Sequence, residues 1–81
     1  METKEILKAL NDVFKDVFDD DMLILTRDTT AQDIEEWDSL NQIKLIIECE
    51  RVFDIRLKAR DINILEDIGE MVDHLSMVIG Q

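Results

Sequence analysis

Hydrophobic side chains recur every three or four positions in the first part of the chain. Because an α-helix turns about 100° per residue, positions with this spacing lie on one face. The pattern predicts an amphipathic helix over about residues 2–18, and the consecutive aspartates at 19–21 end it at the negative end of the helix dipole. Its apolar face consists of Ile6, Leu7, Leu10, Val13, Phe14, Val17 and Phe18.

A second helix is predicted over about residues 39–53, where apolar side chains again follow helical spacing. Its expected N-cap is either Asp38 or Ser39, because short polar side chains accept hydrogen bonds from the first free N–H groups of a helix. Gln42 follows Ser39 by three positions. The two side chains could therefore form a capping box.

The rest of the chain predicts one short and one longer helix. A helical turn is expected at about residues 59–62, and a last helix over about 66–79 with Gly80 at its C-terminal cap. Acidic side chains suit the first turns of the last helix because the helix dipole is positive there. These acids are Glu66, Asp67 and Glu70.

A long connection, residues 19–38, joins the first two helices and shows no sustained period. Loops of this length in compact domains are often functional or held by apolar anchors, and residues 22–25 and Ile34 are the candidates. The chain has no proline, two glycines and no internal repeat, which favours helices throughout. We therefore expect a single all-α domain over residues 1–81, a small bundle of three main helices plus a short extra helical turn.

The second helix carries two apolar stripes instead of one. The first, which we call the core stripe, consists of Leu45, Ile46, Cys49, Val52 and Phe53. The second, which we call the outer stripe, consists of Leu40, Ile43 and Ile47. A three-helix core needs only one stripe. The outer stripe is therefore a partner surface, a lip over an internal cavity or further core.

The composition narrows the range of functions. A net charge of −11 opposes binding to nucleic acid and to anionic membrane surfaces. Cys49 is the only cysteine, so no intramolecular disulfide can form, and no His/Cys cluster offers a metal site. Residues 2–5 show no leader pattern, and no apolar run is long enough to span a membrane. We expect a cytoplasmic monomer with no bound metal, no nucleic acid and no membrane insertion.

The tripeptide Asp38-Ser39-Leu40 places one hydroxyl at the start of the second helix. The N–H groups and the dipole of a helix favour negative charge at that end, so a phosphodiester on Ser39 would lie in a suitable field. No catalytic residue is expected. Cys49 in the core stripe shows no sign of pairing with His74, which is in the last helix, and no pocket-forming elements accompany the paired acids Glu35 and Glu36 in the long connection.

Residues 36–57, EWDSLNQIKLIIECERVFDIRL, resemble the segment around the phosphopantetheine-bearing serine of acyl carrier proteins. The resemblance implies that Ser39 receives phosphopantetheine from coenzyme A through a phosphopantetheinyl transferase, and that Asp38 helps to present it. The thiol that holds an acyl group as a thioester then belongs to the cofactor, so the protein would be a carrier and not an enzyme. It also implies that Leu45, Ile46, Cys49 and Phe53 line the core around the acyl chain.

In acyl carrier proteins the helix after this serine docks on partner enzymes. The resemblance therefore assigns partner binding to Trp37, Leu40, Asn41, Ile43, Lys44, Ile47, Glu48, Glu50 and Arg51. Trp37 itself is expected to be partly buried and to form a lid over the N-terminal end of the second helix. Fatty-acid carriers commonly have acids where this chain has Asn41, Lys44 and Arg51, with Arg56 just beyond, and Trp-Asp-Ser-Leu looks more like stand-alone carriers of specialised pathways. We therefore hypothesise dedicated partners, namely an acyl-activating ligase, an acyltransferase or a ketosynthase.

Several other functions remain open at the level of sequence. The cargo could be an acyl group of fatty acid, polyketide or another specialised biosynthesis, and related domains carry aminoacyl, D-alanyl or peptidyl groups. A non-catalytic acidic adaptor that binds a partner helix through the outer stripe would need no modification of Ser39. A calcium-binding loop fits poorly, because the pattern that starts at Asp19 places Leu23 and Ile24 where an acid and a glycine are required.

Overall fold

A computed structural model of the chain describes residues 2–34 and 37–80. These residues form four α-helices and one turn of 3-10 helix, with no strand in the described part, and the all-α prediction is confirmed. The elements are α1 (Thr3–Phe18), the 3-10 helix (Ala31–Asp33), α2 (Ser39–Phe53), α3 (Ala59–Asn63) and α4 (Ile68–Ile79). The sequence pattern did not predict the 3-10 helix.

Aspartates end the two longest helices in the left-handed conformation. Asp19 follows α1 with a φ of 51°, and its N–H donates to the carbonyl of Lys15. Asp54 follows α2 with a φ of 54°, and its N–H donates to the carbonyl of Glu50. Asp and Asn tolerate this conformation better than most other non-glycine residues, so each helix is closed without a glycine.

The last helix begins two residues later than the pattern predicted. Asp67 is its N-cap, with extended backbone, and its carboxylate accepts a hydrogen bond of 2.8 Å from the N–H of Glu70. Glu66 therefore lies before the helix, and its predicted place in the first turn was wrong. The capping bond fixes the start because the Asp67 side chain takes the position of the missing backbone acceptor. Gly80 is the C-cap as expected, with an ordinary φ of −75°.

The core lies where α1 packs against α2 and α4. Leu45, Cys49 and Phe53 of the core stripe are buried among the apolar side chains of α1 and α4. Val52 is 43% exposed, so its predicted place in the core was wrong. The other core side chains are Ile6, Leu10, Val13, Phe14, Phe18, Leu25, Ile34, Ile68, Met71, Val72 and Leu75.

The long connection is anchored at fewer points than predicted. Leu25 and Ile34 are buried, whereas Met22 and Ile24 are exposed, so these last two are not anchors. The cause is the side chain of Asn11, which donates to the carbonyl of Leu23 and accepts from the N–H of Leu25. Successive side chains of an extended segment point in opposite directions, and holding Leu25 inward therefore turns Ile24 outward.

The same connection also docks on the N-terminal end of α4. The N–H groups of Ile68 and Gly69 each donate to a carbonyl of the connection at 2.8 Å, that of Thr29 and that of Arg27 respectively. The Arg27 guanidinium additionally contacts the Asp73 carboxylate at 2.9 Å. Two otherwise free N–H groups of the helix are thus satisfied by the loop and not by water.

Replacing Gly69 with alanine is expected to destabilise the bundle by about 1 kcal/mol, despite the higher helix propensity of alanine. A Cβ at this position would lie 3.0 Å from the Arg27 carbonyl oxygen and 3.3 Å from the Arg27 Cβ. That carbonyl cannot withdraw without lengthening its bond to the Gly69 N–H. Urea unfolding measures the effect.

Gly80→Ala is the matched control, because its Cβ would meet only the end of its own helix, at 3.3 Å from the Ser76 carbonyl oxygen. We expect this variant to be as stable as the parent or slightly more so. A Gly69→Ala protein that is more stable than the parent would contradict the proposed crowding against Arg27.

Candidate functional site

Ser39 is the first residue of α2 and is exposed. Its hydroxyl makes no hydrogen bond with any described residue, so the Oγ atom is accessible and not engaged in capping. Asp38 is the N-cap instead, and its carboxylate accepts a hydrogen bond of 2.8 Å from the Asn41 N–H. The neighbouring aspartate thereby fixes the start of the helix while the serine hydroxyl stays available.

The predicted capping box between Ser39 and Gln42 is not formed. The Gln42 side chain turns away from the helix start, accepting a hydrogen bond from the Trp37 indole Nε1 and donating to the Asn63 Oδ1 at 3.3 Å. With Asp38 already in the capping position, the hydroxyl is not needed there, and the Gln42 carboxamide is drawn to two other side-chain partners.

The start of α2 offers hydrogen-bond donors to an anion beside Ser39. The N–H groups of Ser39 and Leu40 have no acceptor in the described part of the chain, while those of Asn41 and Gln42 are bound by Asp38. Two free N–H groups at the positive end of a 15-residue helix stabilise negative charge next to the hydroxyl. This arrangement fits a phosphodiester on the Oγ atom.

A cleft of about 360 Å³, which we call the Ser39 cleft, opens beside the hydroxyl. Its wall combines an aromatic ring, two carboxamides and two aliphatic side chains. The lining residues are Ala31, Trp37, Asp38, Ser39, Gln42, Asn63 and Leu65. Sequence reasoning missed Ala31, Asn63 and Leu65, because they come from two segments distant from Ser39 in the sequence and no local pattern relates them to it.

Trp37 separates this cleft from the core. Its indole is half-buried, as expected for a lid on the helix entrance, and it meets the ring of Phe14 edge-on at 5.3 Å. The Phe18 ring lies 6.2 Å away. The three rings form an aromatic cluster whose polar edge, the indole N–H, points to Gln42.

The outer stripe of α2 is exposed, as a partner surface requires. Leu40, Ile43 and Ile47 are between 55% and 61% exposed, and a surface cleft of about 420 Å³ lies between Ile47 and α1. This second cleft is lined by Asp16, Val17, Lys44, Ile47 and Glu48. The outer stripe is therefore not core in this structure.

Of the charged residues assigned to the partner surface, three are bound within the described part of the protein and one is not. Glu48 and Arg51 pair with each other at 2.7 Å, and this hydrogen bond lowers the pKa of Glu48 and raises the pKa of Arg51. The Glu50 carboxylate accepts a hydrogen bond of 3.0 Å from the N–H of Leu57. Lys44 is exposed and has no ion-pair partner among the described residues, so its charge is available to a partner protein.

The structure places two of the other candidate groups in different surroundings. Cys49 is buried and His74 is half-buried in a different helix, while Glu35 and Glu36 lie outside the described residues. Within residues 2–34 and 37–80, no group of three His, Cys, Asp or Glu side chains is placed to hold a metal ion. None of the helices in these residues has the length and apolar character needed to cross a membrane.

Cys49 is expected to resist alkylation in the folded protein. Burial is the main cause that raises the pKa of its thiol from 9.0 to about 12, and the carboxylates of Glu48 and Glu50 add to the shift. At pH 8 the native protein then holds about a thousandfold less thiolate, the reactive form, than a thiol at the ordinary value.

Iodoacetamide labelling followed by intact mass spectrometry measures this reactivity. Labelling of the unfolded protein in urea is the control, because it shows that the thiol reacts once it is exposed. Stoichiometric modification of the native protein at pH 8, at the rate seen in urea, would show that Cys49 is not enclosed by the core.

The solution NMR structure of a holo acyl carrier protein from Geobacter metallireducens is similar to this chain, with a TM-score of 0.84 and 36% sequence identity. The match covers 93% of this chain and 86% of that protein. This chain belongs to the acyl carrier protein family. No family model and no curated protein matches it.

Membership in the acyl carrier protein family gives the chain a carrier role. This agrees with the site, where an accessible hydroxyl stands beside a cleft. The resemblance over residues 36–57 identified the family correctly. The similarity in structure extends it to nearly the whole chain.

Proposed function

We propose that the protein carries acyl groups as thioesters on a phosphopantetheine arm joined to the Oγ atom of Ser39. The observation that supports this most directly is the exposed Ser39 hydroxyl at the first position of α2 in an acyl carrier protein fold, with no hydrogen bond to any residue that the structure describes. The group supplies a thiol at the end of a flexible arm, and the catalysis is left to the partner enzymes.

The residues around Ser39 fit the attachment of this group. In the loading reaction the Oγ atom forms a bond to the phosphorus of coenzyme A that bears the pantetheine group. The bond between this phosphorus and the oxygen of adenosine 3',5'-bisphosphate breaks, and the hydroxyl proton passes to a base of the transferase. The free N–H groups of Ser39 and Leu40 stabilise the anionic phosphodiester that results. Asp38 contributes by capping α2, which holds both groups in place.

The outer stripe is proposed as the surface that partner enzymes recognise. Its apolar centre is exposed, and its rim holds Trp37, Asn41, Lys44, Glu48 and Arg51. Because Glu48 and Arg51 neutralise each other, the charge that remains among these five rim residues is the positive charge of Lys44. Such a rim favours dedicated enzymes with an acidic group at the interface over enzymes with strongly basic docking patches.

The partners that follow from this proposal are a phosphopantetheinyl transferase for loading and an acyl-activating ligase, acyltransferase or ketosynthase for the cargo. They would belong to fatty acid, polyketide or another specialised biosynthesis. Glu50 is a weaker candidate for contact, since its carboxylate is already bound to the Leu57 N–H.

Loading with coenzyme A and a broad-specificity phosphopantetheinyl transferase tests the proposal. Intact mass spectrometry should show the gain of one phosphopantetheinyl group, and fragmentation should place it on Ser39. The mass of protein isolated from its host would then distinguish acyl from aminoacyl, D-alanyl or peptidyl cargo. A protein that gains no mass while a known carrier in the same tube is fully loaded would refute the carrier mechanism.

A further inference from the structure

Three side chains join the start of α2 to the end of α3. The Trp37 indole donates to the Gln42 carboxamide, and Gln42 donates in turn to the Oδ1 of Asn63. Asn63 is the last residue of α3, while Gln42 lies in the first turns of α2. We call this hydrogen-bonded series the Trp37–Asn63 row. It crosses the boundary between two helices that otherwise share few contacts.

The two sides of the row differ in character. On the outer side the row forms part of the wall of the Ser39 cleft, directly beside the hydroxyl. On the inner side the indole packs against the rings of Phe14 and Phe18, which belong to the core. Anything attached to Ser39 that enters the core along this side must therefore displace the row.

The helix on the far side of the row is held weakly. α3 has five residues, and Ile62 is the buried one among them. Separating α2 from α3 at this point requires the loss of the bond between Gln42 and Asn63, whereas α1, α2 and α4 share the main core. Protein interiors are close-packed, so a linear chain of several carbons can enter only if such a boundary opens.

We propose that the Trp37–Asn63 row keeps an apolar cargo out of the core, so that a short or medium linear acyl group lies in the Ser39 cleft beside Trp37. The proposal rests on the attachment of the carrier arm to Ser39. It makes Gln42 and Asn63 positioning residues that determine whether the cargo is presented at the surface or enclosed. The two carboxamides restrain the Trp37 indole, and the indole blocks the route from the Ser39 cleft into the core.

The accessibility of the thioester reports where the cargo lies. Protein loaded with acetyl or octanoyl groups from the corresponding acyl-coenzyme A is treated with hydroxylamine, which attacks the thioester carbonyl to give a hydroxamate and release the thiol. Each rate is divided by the rate for the free acyl-coenzyme A. In the parent protein the two corrected rates should agree within about twofold, because a cargo that stays outside leaves the thioester open to the reagent.

Gln42→Ala and Asn63→Ala should change this result. Gln42→Ala removes both hydrogen bonds of the row and Asn63→Ala removes one. In each variant octanoyl should therefore enter the core for part of the time, and its thioester should react about fivefold more slowly than that of acetyl. Arg60→Ala is the matched control, since Arg60 is exposed on α3 and does not line the cleft. It should behave like the parent.

Strong protection of octanoyl in the parent would overturn the proposal, because the cargo would then enter past an intact row. Equal rates for acetyl and octanoyl in both variants would overturn it as well, since something other than the row would be excluding the cargo. Failure of the proposed function is distinguishable from either outcome, because it appears first as the absence of a mass gain on loading.

The row can also be tested without any cargo. Trp37 is the only tryptophan, so its indole N–H gives one resolved signal in the NMR spectrum. Hydrogen exchange of this proton should be slow in the unloaded parent protein and faster in Gln42→Ala, with Arg60→Ala unchanged. Equally fast exchange in the parent and in Gln42→Ala would show that the row does not restrain the indole.

Discussion

Replacing Ser39 with alanine is expected to abolish phosphopantetheine loading while leaving the fold almost unchanged. The attachment needs the Oγ atom as the group that forms the bond to phosphorus, and alanine has no substitute for it. The fold should lose well under about 1 kcal/mol, because Asp38 and not Ser39 caps α2 and alanine is a good helix former. Intact mass after incubation with coenzyme A and transferase measures loading, and urea unfolding measures stability.

Ser76→Ala is the matched control, because Ser76 is the only other serine and lies in α4, away from the cleft. This variant should load fully. If Ser39→Ala still gained one phosphopantetheinyl group, the attachment would be on another residue and the assignment of Ser39 would be wrong. If it failed to load because it was unfolded, far-UV circular dichroism would show the loss of helix.

The helices were the most predictable part of this protein because their hydrophobic side chains report the helical period directly. The predicted bounds of α2 agree with the structure at both ends. The two-stripe pattern of α2 also separated the buried Leu45 and Cys49 from the exposed Ile43 and Ile47. Periodicity identifies the face of each residue, and in a helix the face largely determines burial.

The long connection was less predictable, because its conformation depends on partners distant in the sequence. Asn11 fixes which side chains of residues 23–25 point inward, and nothing near Ile24 in the sequence indicates that it is exposed. The Ser39 cleft was hard to predict for the same reason, because its lining also comes from parts of the chain that are distant in the sequence. Asn63 reaches Gln42 across 21 positions, and the helical spacing of Gln42 from Ser39 favoured a capping box that Asp38 makes unnecessary.

The Asp38 cap connects these observations to the carrier role. A serine at an N-cap would use its hydroxyl oxygen to accept a backbone hydrogen bond, whereas a serine one position later, after an aspartate cap, does not. The order Asp-Ser therefore gives the helix a fixed start and leaves the serine hydroxyl exposed, as the proposed attachment requires.

Phe14→Ala is expected to have the opposite effect to Ser39→Ala. It should greatly lower the free energy of unfolding while leaving the Ser39 hydroxyl in place for attachment. Phe14 is fully buried, and its ring contacts those of Phe18 at 5.7 Å and Trp37 at 5.3 Å. Truncating such a side chain costs about 3–5 kcal/mol, through lost burial and the cavity that remains. An 81-residue domain has a total stability of roughly 4–12 kcal/mol, so a large part of it would be lost.

Thermal and urea unfolding of Phe14→Ala measure the loss, and a fall in Tm of about 15–30 °C is expected for a domain of this size. Phe14→Leu is the matched control, because it keeps most of the apolar volume and should lose much less. The fluorescence of Trp37 should also shift to longer wavelength in Phe14→Ala, since the indole loses its edge-on ring contact and becomes wetter. If the free energy of unfolding fell by less than about 1 kcal/mol, the core would have collapsed into the space left by the ring. That result would contradict the close packing of Phe14 of α1 against Trp37.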